Sequence, residues 1–289
     1  TMRFTISDEH REYAIDRLGE VLASKKATKR DMASIAGVLS WISFVFIPGR
    51  PRRQHIYNAA SLGPSGNKSD EIDIRGSLLR QLRWWYNSLR STSFVGSRVW
   101  QGDESPRSTL LRSDASGEDG WGVCVMGLHI VGPWPPGWEQ SSVENLSPSM
   151  LWKELVGPAI AILLLARWTP NTVFAAAGDN AGGAFVINKM SAGCPYVLQL
   201  LRPLSDVMAR YHLGVLGGHA HRDCNEHADD LSHALYAALW RDVVAQEWVH
   251  KTGRLELPFV VSDTATGETF AATFSFKRAF GRGAKRAQR

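Results

Sequence analysis

Cysteine is scarce in this chain: 289 residues hold three, Cys124, Cys194 and Cys224. An odd, scattered set does not build a disulfide framework, so a reducing compartment is expected. No run of about 18 apolar residues occurs, which excludes an ordinary membrane-spanning helix. The longest apolar stretch, residues 156–166, is interrupted by Gly157 and Pro158. A secretory h-region is lacking as well. The expectation is a protein of the cytoplasm or nucleus with no membrane partner. Also missing is any paired Cys-x-x-Cys or His-x-x-x-His knuckle, which weakens a structural zinc site.

What is present is charge, unevenly spread. Residues 1–107 carry 17 basic and 11 acidic side chains, residues 108–245 carry 8 and 13, and residues 246–289 carry 8 and 4. The last thirteen residues hold six basic and no acidic groups. An acidic centre between basic arms suits an enzyme that acts on a polyanion: carboxylates hold a cation while the arms supply phosphate affinity.

Periodicity and capping residues divide the chain. Residues 8–24 read as an amphipathic helix with Ile15, Leu18 and Leu22 on one stripe and Ser7 placed to cap it. Thr28-Lys29-Arg30-Asp31 fits a capping box that opens a helix running to about Phe46, where Pro48-Gly49 stops it. Residues 61–70 read as a loop. A third helix is expected over about 74–90, with Leu78, Leu82, Trp85 and Leu89 as its core stripe and Arg75, Arg80, Arg83 and Arg90 decorating it. From residue 108 the pattern becomes β-β-β-α-β-α-α-β-α. Strands are expected near 109–114, 121–126, 128–134, 172–177 and 213–218, and helices near 149–167, from Gly178-Asp179-Asn180 on to about 190, and near 195–212 and 225–240. That order implies a mixed sheet with helices on its faces. A Val/Thr/Phe-rich stretch at 257–276, broken by Gly267, reads as a hairpin.

Four acids sit in distinctive phrases within the central region. Asp114 lies in Ser-Asp-Ala-Ser ahead of Gly120-Trp121-Gly122; Glu154 in Trp152-Lys153-Glu154-Leu155; Asp179 before Asn180; Asp229 in Asn225-Glu226-His227-Ala228-Asp229-Asp230-Leu231-Ser232. Asp114 and Asp179 end the first and fourth strands, which are plausible neighbours, and ligand sites of such sheets favour those carboxyl ends. Converging, the four make a hard-oxygen cage for two Mg²⁺ ions, with Mn²⁺ able to substitute. A rival set of zinc-capable ligands, His219, His221, Cys224 and His227, falls within nine residues but has no knuckle spacing.

These phrases together resemble the ribonuclease H domains of retroelement reverse transcriptases. The stretch around Asp114 with its Gly-Trp-Gly looks like their first-strand motif, Glu154-Leu155 like their first-helix acid, and Asp179-Asn180 like their third acid. Residues 219–232 look like their closing phrase. The resemblance covers about 130 residues and implies an α/β, ribonuclease H-like mixed five-stranded sheet flanked by helices. It implies Asp114, Glu154, Asp179 and Asp229 as catalytic metal ligands and His219 as a mobile histidine for proton transfer or product release. Substrate contacts are expected at Asn180, Asn225 and Ser116. The implied substrate is an RNA/DNA hybrid, and the implied products carry 5′-phosphates.

Upstream, Leu39-Ser40-Trp41-Ile42, Pro48-Gly49-Arg50-Pro51 and Leu82-Arg83-Trp84-Trp85 look like the thumb and connection of DIRS-like and gypsy-like retrotransposons. Three regions are therefore expected: a helical thumb/connection-like segment at 1–107, a ribonuclease H-like domain at 108–245, and an extension at 246–289. No Tyr-x-Asp-Asp polymerase pair occurs, so the chain is expected to be the C-terminal part of a longer polyprotein, with its polymerase part as a partner. Two departures from the family pattern stand out: Ala220-His221-Arg222-Asp223 replaces an Ile-Pro-Gly-like run, and His233 stands where arginine is common. The competing expectations are a non-catalytic nucleic-acid-binding module of the same fold and a different nuclease or transposase of the superfamily.

Overall fold

Ser7 does what its position requires: its hydroxyl accepts the His10 amide at 3.4 Å, and helix α1 (Asp8–Ser24) starts behind it. The computed structural model describes residues 2–61, 67–91, 94, 97–100, 107–134, 149–233 and 254–277. The chain divides into two units, Thr1–Ser105 with Ser205–Arg210, and Pro106–Leu204 with Tyr211–Arg289.

In the first unit a strand β1 (Met2–Thr5) precedes α1, and β2 (Lys26–Thr28) leads into α2 (Lys29–Val45). The reciprocal capping box at the start of α2 is complete: Thr28 Oγ1 accepts the Asp31 amide at 3.1 Å, and Asp31 accepts the Thr28 amide at 3.1 Å. A 3-10 turn over Ile47–Arg52 follows, then α3 (Gln54–Ala60), β3 (Glu71–Asp73), α4 (Gly76–Arg90) and β4 (Ser97–Trp100). The short strands pair as β1–β4 and β2–β3, both antiparallel; these and α3 are additions to the helical pattern expected from periodicity. Leu18, Met32, Leu39, Ile42, Ile56, Leu82, Trp85 and Leu89 make one buried core. The α4 stripe is thus core, as its spacing implies.

The second unit is α/β. Its elements are β5 (Arg107–Ala115), β6 (Gly120–Val125), β7 (Leu128–Pro133), α5 (Met150–Leu165), β8 (Thr172–Gly178), α6 (Ala181–Lys189), α7 (Pro195–Tyr211, apart from Ser205–Arg210, which belong to the first unit), β9 (Gly214–His219), α8 (Glu226–Ser232), β10 (Arg254–Asp263) and β11 (Thr269–Lys277). Only the start of the expected last helix falls within the described residues; the rest of 225–240 and the basic tail from 278 lie outside them. Among the described residues the strands form one mixed seven-stranded sheet in the order β11-β10-β7-β6-β5-β8-β9. The first three strands meander antiparallel, and β6 and β7 are joined by a two-residue turn in which Met126 (φ 52°) and Gly127 (φ 74°) both take positive φ. That is the tight hairpin geometry matching strand twist, and it favours glycine. β5–β8 and β8–β9 run parallel.

Five strands were the expectation for this region, and seven are found. The difference is the 254–277 hairpin, which pairs with β7 from Val260↔Val131 to Asp263↔Leu128. An open β7 edge would leave a row of unpaired backbone groups. The hairpin covers it and buries Leu257, Phe259, Val260 and Val261.

Helices cover both faces. A Cβ on Gly157 of α5 would meet Val123 and Trp121, whereas a Cβ on Gly122 would meet Leu231 of α8. Successive residues of β6 point to opposite faces, so α5 and α8 sandwich the strand that borders β5. No helix among the described residues is long and apolar enough to cross a membrane.

Candidate metal centre

Register alone sets two of the acids side by side. The β5–β8 ladder runs from Arg107↔Thr172 to Arg112↔Ala177. Extended by two residues, the same register puts Asp114 next to Asp179, on one face because the side-chain period of a strand is two. Both lie at the carboxyl ends of adjacent parallel strands. Glu154 comes from the second turn of α5, a helix buried on nearly every side. Pro158, one turn on, has no N–H to give the Glu154 carbonyl. One carboxylate oxygen from each of Asp114, Glu154 and Asp179 lies within 4.8 Å of the others.

Asp114 is 6% and Glu154 9% exposed; Asp179 is the most open of the three. Burial pushes the Glu154 carboxyl up from its ordinary 4.5 to about 8, with the charges of Asp114 and Asp179 adding to the effect. Asp114 is also raised, first by burial and then by Asp179 and Asp229, against a hydrogen bond from Ser232 and the nearby His233 that pull it down. No lysine or arginine among the described residues forms an ion pair with any of the three. Three carboxylates this close cannot all ionise at low cost without a cation. The donor set is oxygen-only, which suits Mg²⁺ or Mn²⁺ over zinc. The residues present therefore fit a hard divalent ion.

The fourth acid stands at the rim. Asp229 is on the first turn of α8, half-buried, and it is not among the three oxygens that converge. Its Oδ1 lies 3.5 Å from an Arg222 guanidinium nitrogen and 3.8 Å from His233 Nε2. Its charge still reaches Asp114.

The phrase that closes the acidic region explains how α8 is held. Asn225, 1% exposed, donates from its amide to the Ser113 carbonyl at 3.0 Å. Ala228 is fully buried, and Leu231 packs on Gly122. Ser232, fully buried, donates its hydroxyl to Asp114 Oδ2 at 2.7 Å. Asn225, Leu231 and Ser232 thus tie the helix to β5 and β6. The Ser232–Asp114 bond went unread in the sequence because it joins residues 118 apart.

The remaining candidates are placed as follows. His219 ends β9, exposed, opposite Gly178 in the β8–β9 register and so at the same sheet end as the acids. Asn180 caps α6, its side chain accepting the Gly183 amide at 3.1 Å. Ser116 staples the β5–β6 turn, accepting the Glu118 and Asp119 amides and donating to Asp119 Oδ2 at 3.2 Å. Asp119 in turn contacts His233 Nδ1 at 3.1 Å, a link from the turn to Asp229 that sequence reading did not find. Lys153, buried, donates to the Gly117 carbonyl at 2.5 Å and ties the same turn to α5. The rival zinc ligands do not gather: the one metal-capable group among the described residues is acidic, and His221 pairs with Asp223 at 3.2 Å.

Beside the acids lies a small, open recess lined by Glu154, Ser113, Asn180 and Gly218 among others. No family model matches the sequence, and no curated protein does.

Proposed function

We propose that the chain is a metal-dependent ribonuclease H that hydrolyses the RNA strand of an RNA/DNA hybrid, and that it is the C-terminal part of a retroelement reverse transcriptase. The observation that carries the proposal is the convergence of Asp114, Glu154 and Asp179, from three separate elements, within 4.8 Å. The order of the first five sheet strands supports it. The meander β5–β6–β7, followed by β8 and β9 added on the far side of β5, is the arrangement expected of a ribonuclease H-like sheet.

Asp114, Glu154 and Asp179 would hold the metal, with Asp229 joining from α8. Bound there, divalent ions supply charge neutralisation, activation of water and stabilisation of the leaving oxygen. The protein's part is positional. Ser232 fixes the Asp114 carboxylate through one oxygen. Asn225 holds α8, and with it Asp229, against β5. Glu154, whose carboxyl burial pushes up to about 8, would hold the ion as the carboxylate, so loading the site would release its proton. His219 at the open sheet end is suited to carry a proton to the departing 3′-oxygen. The 2′-hydroxyl separates the RNA strand from DNA.

The test is cleavage of labelled RNA/DNA hybrid, double-stranded RNA and double-stranded DNA, each with Mg²⁺ and with EDTA. Cleavage of the hybrid's RNA strand is expected, with Mg²⁺ only, and Asp114→Asn should abolish it while the fold persists. Hybrid binding without cleavage would return the chain to a non-catalytic module; cleavage undiminished in Asp114→Asn would sink the assignment.

A further inference from the structure

Helix α4 carries no Asp or Glu. Its Leu82, Trp85 and Leu89 are fully buried in the core of the first unit. At 3.6 residues per turn, Arg80, Arg83, Asn87 and Arg90 fall together on the opposite stripe, and all four are exposed. From Arg80 to Arg90 the helix rises about 15 Å, which matches the axial run of about four phosphates on one strand. Among the described residues none of these three arginines is in an ion pair with a carboxylate, unlike Arg75, which lies 3.8 Å from Asp73. Arg90 donates to the Tyr86 hydroxyl at 3.1 Å and lies 5.1 Å from the centre of that ring. That contact orients its guanidinium and reduces the rotamer freedom lost on binding. The neighbouring α1 shows the opposite charge: Asp8, Glu9, Glu12, Asp16 and Glu20 are exposed along it. A polyanion is thereby confined to the arginine stripe.

We propose that the Arg80–Arg83–Arg90 face of α4 is a phosphate-backbone contact for the nucleic acid on which the chain acts. The inference rests on the reading of the chain as a nuclease, although it concerns binding and not cleavage. Guanidinium forks match phosphate oxygens two by two, and they read no sequence. Each phosphate contact adds about 0.9 to the slope of log affinity against log salt. Three contacts therefore weaken binding by about 40-fold between about 50 and 200 mM salt.

The experiment is fluorescence anisotropy of a labelled RNA/DNA hybrid with the full chain in EDTA, where no cleavage occurs, across that salt range. The variant R80A/R83A/R90A should lose about 2.7 from the slope, with an unchanged melting temperature because all three side chains are exposed. The variant R80K/R83K/R90K should keep most of the slope. If the triple alanine variant does not fold, Arg83→Glu alone should lower the slope by about one or more. An unchanged slope in a folded alanine variant overturns the proposal and leaves the face to an acidic protein partner. A slope lost equally in the lysine variant also overturns it, since packing rather than charge would then be responsible. Because binding is read without turnover, a lost slope with cleavage undiminished in Asp114→Asn would leave the face standing and the nuclease reading fallen. An unchanged slope with cleavage abolished would do the reverse.

Discussion

Replacing Glu154 with glutamine should stabilise the metal-free protein and remove most of its pH dependence near neutrality. Glu154 titrates at an ordinary 4.5 when exposed and at about 8 in the folded chain. The folded state therefore holds the proton more tightly than the unfolded one. Stability from this group is complete below pH 4.5 and is lost as pH climbs through about 8. At pH 7 the loss amounts to roughly 3 kcal/mol, and well above pH 8 it approaches roughly 5 kcal/mol. Asp114, also raised by burial, adds a loss of the same sign. Glutamine has nearly the same shape and no titrating proton, so E154Q removes the Glu154 share of the loss and leaves only that of Asp114. Mg²⁺ acts against the same loss in the wild type, by about 3 kcal/mol at a hundred times its dissociation constant. The assay is urea denaturation followed by tryptophan fluorescence at pH 5, 7 and 9, in EDTA and in Mg²⁺. In EDTA the wild type should weaken steadily with pH, Mg²⁺ should restore it, and E154Q should be nearly flat and insensitive to Mg²⁺. A wild type equally stable at pH 5 and pH 9 in EDTA, or a variant with the wild-type slope, would refute the reasoning.

Other outcomes follow from the same geometry. Ser232→Ala deletes the hydroxyl that orients Asp114; metal affinity, read by titration calorimetry, should fall by about ten- to a hundredfold while the secondary structure stays intact. Gly122→Ala places a methyl group 2.8 Å from the Leu231 carbonyl carbon and 2.9 Å from the Ser232 nitrogen. It should cost about 1–3 kcal/mol in denaturation and lower cleavage more than Gly117→Ala, whose Cβ meets nothing within 4 Å. Thr28→Ala removes the α2 cap and should cost about 1 kcal/mol, with hybrid cleavage unaltered because the cap belongs to the other unit.

Much of the architecture lies in features confined to a few neighbouring residues. Ser7, the Thr28/Asp31 box and the Pro48-Gly49 stop are local signals, and the helices begin and end where they indicate. Strand periodicity marks β5 to β9, and the two acids fall at strand ends where it puts them. Nothing in that local grammar says which strand neighbours which, so the lateral placement of Asp114 beside Asp179 is a product of the β5–β8 register. Five strands became seven because the exposed β7 edge and the apolar hairpin at 254–277 satisfy each other across more than 120 residues of chain. A separation of 118 residues likewise hides the Ser232–Asp114 bond. The identity of the four acids and the elements that carry them can be read along the chain, since each depends on residues within a turn or two. The closeness of Asp114, Glu154 and Asp179, and the burial that lifts Glu154 to about 8, arise only when helices close over both faces of the sheet, because charge repulsion and desolvation depend on distance in space.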